Sequence, residues 1–305
     1  MQQPVDQEEI RALAAKVPEQ ILFGTSTWTY PGWAGLVYHR HYPKSAPAAR
    51  MLEEYARFPL FRTVGIDSSF YRPPSANTLE AYRKALPAGF PCVSKVWEQI
   101  TVHTYSGLRD GPRGELNPDY LNAELFLSEM YEPYQRHFED HAGPFVFEFQ
   151  ATSRLDPQQF ANRLDEFFGK LPRERQYGVE VRNEEFLTAA YFAVLREHGV
   201  AHVFNSWTRM PTIGTQLDMA ESITSTFMVA RVLLRPGMNY DEAVDAFSPY
   251  DRIREPNLEM RSDITRLIDR ARAMRIPAYI LVNNRAEGSA PQTIMEIVRG
   301  LHTAE

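Results

Sequence analysis

Eight short apolar runs, each followed by a stretch with helical spacing, constrain this chain more than any other feature. The runs are Ile21–Trp28, the opening of Thr63–Tyr71, Cys92–Val96, Phe145–Gln150, Tyr177–Val181, His202–Asn205, Phe227–Leu234 and Ala278–Asn284. Helical spacing follows over residues 47–57, 75–86, 122–138, 157–168, 184–198, weakly over 217–223, then over 257–274 and 291–301. A strand followed by a helix, repeated, requires parallel pairing, because each new strand must start again from the same end of the sheet. Eight such units predict an α/β fold of one kind, a single-domain (β/α)8 TIM barrel. An open doubly wound sheet usually carries a Gly-rich phosphate fingerprint after its first strand, and Gly24-Thr-Ser-Thr27 does not match one.

The chain of 305 residues exceeds the roughly 250 that such a barrel typically needs. Part of the surplus is a helix over residues 6–16, with Ile10, Leu13 and Ala14 on one face, ending before Pro18. Residues 1–20 are therefore expected to form a helical extension and 21–305 the barrel. The rest lies in two long connections, 98–121 and 235–256, which leave the C-terminal ends of strands. Both keep aromatic and apolar residues, which predicts lids over the barrel mouth.

A formal charge of −6 argues against a general binder of nucleic acid or acidic membranes, though it leaves room for a local basic groove. The one cysteine, Cys92, has no partner for an internal disulfide, which suits a reducing cytosol. The acidic N-terminus lacks the apolar segment of a signal peptide, and no apolar run approaches the roughly 18–20 residues that span a bilayer. The expectation is a soluble, cytoplasmic protein.

Alternation along the strands selects the candidate site. Successive strand side chains point to opposite faces, and the face under the helices must be apolar. Phe145, Phe147 and Phe149 share one face of their strand, which leaves Glu148 and Gln150 on the other; Val179 and Val181 oppose Glu180 and Arg182. By the same argument Asp67, Ser69 and Lys95 turn inward, and Asn205, Arg235, Asn283 and Asn284 complete a ring at the strand ends. Three carboxylates and three cations placed there must compensate one another, because an unpaired buried ion costs several kcal/mol. Such a ring is either a self-satisfied salt network or a polar small-molecule site. In the second reading Glu148 and Glu180 form an acid/base pair, one raising the carboxyl pKa of the other. Lys95 has the chemistry of a base, a Schiff-base nucleophile or an electrostatic clamp, and Asp67 is expected chiefly to hold Lys95 in place.

Two further features flank the ring. Trp28, Tyr30, Trp33, Phe70 and Tyr71 follow the first two strands, and Trp28, Tyr30 and Tyr71 offer faces for stacking a sugar or a base, while Trp33 suits packing between the loops. Gly288 and Ser289, at the start of the last helix, offer backbone N–H groups to an anion, or simply cap the helix. For metals the sequence is poorer. His39, His41 and His103 lie in loops, His202 reads as a core residue, and no strand ends in histidine. No cofactor is identified; a divalent metal such as Mg²⁺ held by Asp67 and Glu180 is the one metal arrangement left open.

The motifs Gly24-Thr-Ser-Thr-Trp-Thr-Tyr-Pro-Gly-Trp33, Val64-Gly-Ile-Asp-Ser-Ser-Phe-Tyr-Arg-Pro73, Lys95 with Ile100-Thr-Val-His103, Phe147-Glu-Phe-Gln150, Val179-Glu-Val-Arg-Asn183 and Val282-Asn-Asn-Arg-Ala-Glu-Gly-Ser-Ala-Pro291 together resemble the DUF72, or YecE-like, family. The resemblance runs from the first strand to the last helix. It implies a TIM barrel with a polar pocket at the C-terminal mouth and no established reaction. The chain departs from the family pattern at three places. Gly65-Ile-Asp67 stands where Glu-x-Asn is more common, Asn183 stands where Glu-x-Arg is followed by histidine, and Leu234-Arg-Pro-Gly237 replaces an Arg-x-His-Gly-like turn.

The reading that follows is an enzyme, a hydrolase, lyase or isomerase, acting by acid/base chemistry on a small polar, sugar- or phosphate-like substrate. Two alternatives use the same mouth. One is a nucleic-acid repair or processing protein resembling barrel endonucleases, disfavoured by the net charge; the other is a ligand-binding barrel without catalysis.

Overall fold

A computed structural model describes residues 7–43, 45–107, 111–235 and 237–301. Residues 1–6, residues 108–110, Pro236 and the chain from 302 onward, which the expectations above include, lie outside the described residues. Eight parallel strands alternate with helices: β1 Ile21–Thr25, β2 Val64–Ile66, β3 Cys92–Lys95, β4 Ala142–Phe149, β5 Tyr177–Val181, β6 Ala201–Ser206, β7 Met228–Val232 and β8 Ala278–Val282. Their order is β1-β8-β7-β6-β5-β4-β3-β2, so that only the β1–β2 seam lacks a regular ladder. There Phe23 O accepts from Arg62 N (2.8 Å) and Thr63 N (3.3 Å), which nearly closes the barrel.

The helices are α1 Gln7–Lys16, α2 Ala48–Tyr55, α3 Ala76–Ala85, α4 Glu98–Thr101, α5 Ala123–Phe126, α6 Glu132–His137, α7 Pro157–Phe168, α8 Ala189–Glu197, α9 Ile213–Asp218, α10 Tyr240–Phe247, α11 Leu258–Met274 and α12 Ala290–Arg299. The spacing over 122–138 predicts one helix; the segment instead passes from α5 through a π-helical stretch, Leu127–Tyr131, into α6. Pro133 at the start of α6 has no N–H to continue an α-helical ladder, which accounts for the break.

The expected alternation sorts two cores. Val93, Val146, Val203, Val229, Tyr279 and Leu281 form a compact inner cluster within the barrel. Their strand neighbours, such as Phe145, Phe147, Val179 and Ile280, pack under the helices in the main core. Hence the next inward positions toward the C-terminal ends, two residues beyond Val93, Val146 and Val229, are Lys95, Glu148 and Arg231.

The described parts of the two long connections are folded. Residues 98–107 and 111–121 include α4 and an antiparallel bridge between Thr104 and Leu116. Asn117 secures them, with Nδ2 donating to Gln99 O (2.7 Å) and Val102 O (2.8 Å). In the second connection, where prolines and glycines predict loop, α10 forms a helix. Its start is a capping box, in which Asn239 accepts from Glu242 N and Glu242 accepts from Asn239 N. Ala243 and Phe247 of α10 pack with Leu234 in a small core of their own.

A charged ring at the candidate functional site

The ring at the strand ends is real, but its centre is a residue that the sequence reading did not single out. Arg231, only 2% exposed, reaches three carboxylates. Its Nη2 donates to Asp67 Oδ1 (3.0 Å) and Oδ2 (2.8 Å), and its Nη1 to Glu148 Oε2 (2.9 Å) and to Glu180 Oε2. Glu148 Oε2 also meets Lys95 Nζ and Arg182 Nη2, each at 2.9 Å. Arg182 Nη2 closes the circuit on Glu180 Oε1 at 2.6 Å. Asp67, Glu148 and Glu180 thus balance Lys95, Arg182 and Arg231 charge for charge, the arrangement that makes six buried or half-buried ions tolerable.

Arg235, expected in the ring, does not join it. It has the same strand parity as Arg231, but β7 stops at Val232, so Arg235 lies beyond the ring, half-buried, with Glu255 at 3.5 Å. Asp67 also differs from expectation, because both of its oxygens serve Arg231 rather than holding Lys95. Lys95 is held instead by Glu148 and by the face of Phe70, with Nζ 3.7 Å from the ring centroid. Ser69 acts on the backbone, its hydroxyl lying 2.6 Å from Lys95 O, which ties the end of β2 to the end of β3.

The electrostatics correct a second expectation. Burial alone would raise the pKa of Glu148, but Lys95, Arg182 and Arg231 overcome it and hold the carboxyl well below the usual carboxylate range. Glu148 is therefore a fixed anion, not a proton donor poised by a neighbouring carboxylate. Gln150, exposed at the mouth, donates Nε2 to Glu148 Oε1 at 2.8 Å.

The remaining candidates divide. Asn205 is fully buried beside the ring, with Nδ2 donating to Val181 O (3.2 Å) and Val203 O (3.3 Å) and Oδ1 unpartnered. Tyr30 lies half-buried against Trp33 and Tyr250. Burial pushes its phenol up to about 12, against the pull of Arg285. Tyr71 is 55% exposed, with its ring edge-on to Phe70. Trp28 is not. It is 3% exposed, edge-on to Tyr82, with its indole N–H on Ala48 O, so it packs the loop that was expected to offer it. Trp207, absent from the sequence reading, stacks under Arg182 at 4.1 Å instead.

Asn283 and Asn284 shape the turn after β8. Asn283 Oδ1 accepts from Arg285 N at 3.0 Å; Asn284 Oδ1 accepts from Ala290 N (2.8 Å) and the Trp33 indole (3.2 Å). The anion cradle expected at Gly288 and Ser289 is closed, because Gly288 N donates to Asn284 O and Ser289 is fully buried. Asp67 and Glu180, the pair left open for Mg²⁺, are bridged by Arg231, and among the described residues no group of three or more His, Cys, Asp or Glu is placed to hold a metal ion.

This constellation has family company. A family model described as a protein of unknown function, DUF72, matches residues 22–305. The chain belongs to the DUF72 family. Two solved DUF72 structures share its fold. The protein from Thermotoga maritima is 18% identical, covering 92% of this chain and 98% of its own, with a TM-score of 0.63. The protein from Enterococcus faecalis is 17% identical, covering 92% and 96%, with a TM-score of 0.62. No curated protein matches the sequence. The Asn183 side chain joins loops, accepting from Thr152 N and donating to Thr152 O.

Proposed function

We propose that this DUF72 protein is an enzyme acting on a small polar substrate at the C-terminal mouth of the barrel, with Lys95 as the proton-handling or charge-stabilising group. The supporting observation is that the ring, though balanced in charge, is unfinished in hydrogen bonds. Arg182 Nη1, Arg231 Nε and Asn205 Oδ1 are buried without partners. A network kept only for stability normally satisfies its buried polar atoms, whereas a site completes them with substrate or ordered water. Lys95 is the ring cation with the most exposed side chain, and Asp67 is the carboxylate with the most. Glu148, held ionised, orients Lys95, and Arg182, stacked on Trp207, stabilises negative charge that develops on the substrate. The single cysteine is buried and free, in keeping with a reducing compartment, and we place the protein in the cytoplasm.

The test is turnover on a substrate found by screening sugars, sugar phosphates and hydroxy acids. Lys95→Met should lower kcat by about 100-fold or more, with the fold retained by circular dichroism. Unchanged turnover in both Lys95→Met and Glu180→Gln would remove the ring from the chemistry.

A further inference from the structure

Beside the ring, where the segments after β3 and β4 meet, lies a cleft of about 340 Å³. Its floor is aromatic, formed by Tyr120, Phe149, Phe160 and Phe186, and its wall carries Arg113, Arg154 and His103 among serine and threonine hydroxyls. None of the described lining residues is Asp or Glu, in a chain that has 39 of them. We propose that this cleft binds the anionic group, phosphate or carboxylate, of a small organic molecule whose remaining part lies against the aromatic floor.

Three observations support the assignment. Arg154 spends Nη1 on a neutral acceptor, Gly114 O at 2.7 Å, and among the described ion pairs neither Arg113 nor Arg154 has a carboxylate partner. Thr101, 1% exposed and in the wall, has an Oγ1 with no hydrogen-bond partner, a buried polar atom that a ligand or water must satisfy. The local field is positive. Burial and then Arg163 and Arg154 lower the pKa of His103, as expected where cations gather without a counter-ion. Arginine's planar fork suits oxyanions of this kind.

Gln150 links the cleft to the ring, since it lines the first and donates to Glu148 in the second. The inference therefore deepens the proposed function by giving the substrate an anionic end, held in the cleft while its other end faces Lys95.

Calorimetric titration of the full chain with ribose 5-phosphate, gluconate and ribose tests it. At least one anionic probe should bind more tightly than ribose, with an affinity that falls as salt rises. In the Arg113→Met/Arg154→Met variant, whose changes lie on exposed side chains, that affinity should drop by about tenfold or more. Absence of binding by both anions at millimolar concentration, or equal affinity in the double variant, would overturn the proposal. So would a thymidine oligonucleotide that binds more tightly than either anion and is lost in the same variant, since the cleft would then hold a nucleic-acid backbone. The two readings fail separately: arginine dependence without effect of Lys95 on turnover would leave the cleft standing alone, and the reverse would leave only the ring.

Discussion

Arg231 shows what one guanidinium can organise. Its Nη atoms serve Asp67, Glu148 and Glu180, three carboxylates from three strand ends, and its desolvation cost is offset only because all three are charged. Replacement by methionine would leave these carboxylates facing only Lys95 and Arg182. Arg231→Met should therefore cost about 3–5 kcal/mol in urea unfolding, the range for breaking a buried pair. Adding Glu180→Gln should restore part of the loss, because it removes one of the stranded charges. A loss of under about 1 kcal/mol in the single variant would mean that the ring is hydrated rather than mutually paired. Alternation made most of this ring legible in the sequence: Asp67, Lys95, Glu148, Glu180 and Arg182 all fall where parity puts them. Parity gives the face but not the depth, so it does not separate Arg231, amid apolar neighbours within β7, from Arg235 beyond its end. A lone arginine with inward parity inside an otherwise apolar strand was the available signal. The burial of Trp28 and the closing of the Gly288 turn left no such trace, because both depend on chain segments distant in sequence.

At the scale of elements, the barrel depends on a seam that periodicity could not reveal. β1 and β2 meet through close backbone approach, with Gly24 against Thr63 and Gly65 against Ser26. A Cβ at Gly65 would lie 2.6 Å from Ser26 O, and one at Gly24 would collide with Thr63 O, backbone atoms that move only if the strands part. Gly24→Ala should cost about 2–4 kcal/mol by thermal or urea unfolding, as expected for overpacking that strains a backbone. Gly300→Ala, where the new Cβ meets nothing closer than 3.4 Å, is the matched control and should be nearly neutral. Equal effects in the two variants would show that the seam has slack. Strands and most helices were legible because period and caps are local properties of sequence. Helix α10 escaped because the prolines and glycines around it read as loop, although Asn239 and Glu242 carry a capping-box signature.

For the whole molecule, burial of ionisable groups on both sides of the strands ties stability to pH, and the order of events follows from two groups. His202 lies under the helices, fully buried, with Nδ1 at 3.1 Å from the Tyr191 hydroxyl and Nε2 at 3.3 Å from Gln216 Oε1. Burial lowers its pKa from 6.5 to about 4, and the Gln216 contact only partly opposes this. Between those values the unfolded chain binds a proton that the native state refuses, so stability is lost as pH falls, by about 1.4 kcal/mol per unit at most. The whole window amounts to a loss on the order of 3 kcal/mol. Glu148 acts at lower pH. Its folded pKa is depressed, so the stability it confers is present above the unfolded value of about 4.3 and disappears as pH falls toward the folded one. Acid unfolding should thus begin with His202 and finish with the ring. In urea titrations between about pH 7 and about pH 5, His202→Gln should start less stable than wild type through lost packing, and the gap should narrow as pH falls, because the variant has no proton to take up. Curves that stay parallel across this window would mean that His202 is not the group that refuses the proton.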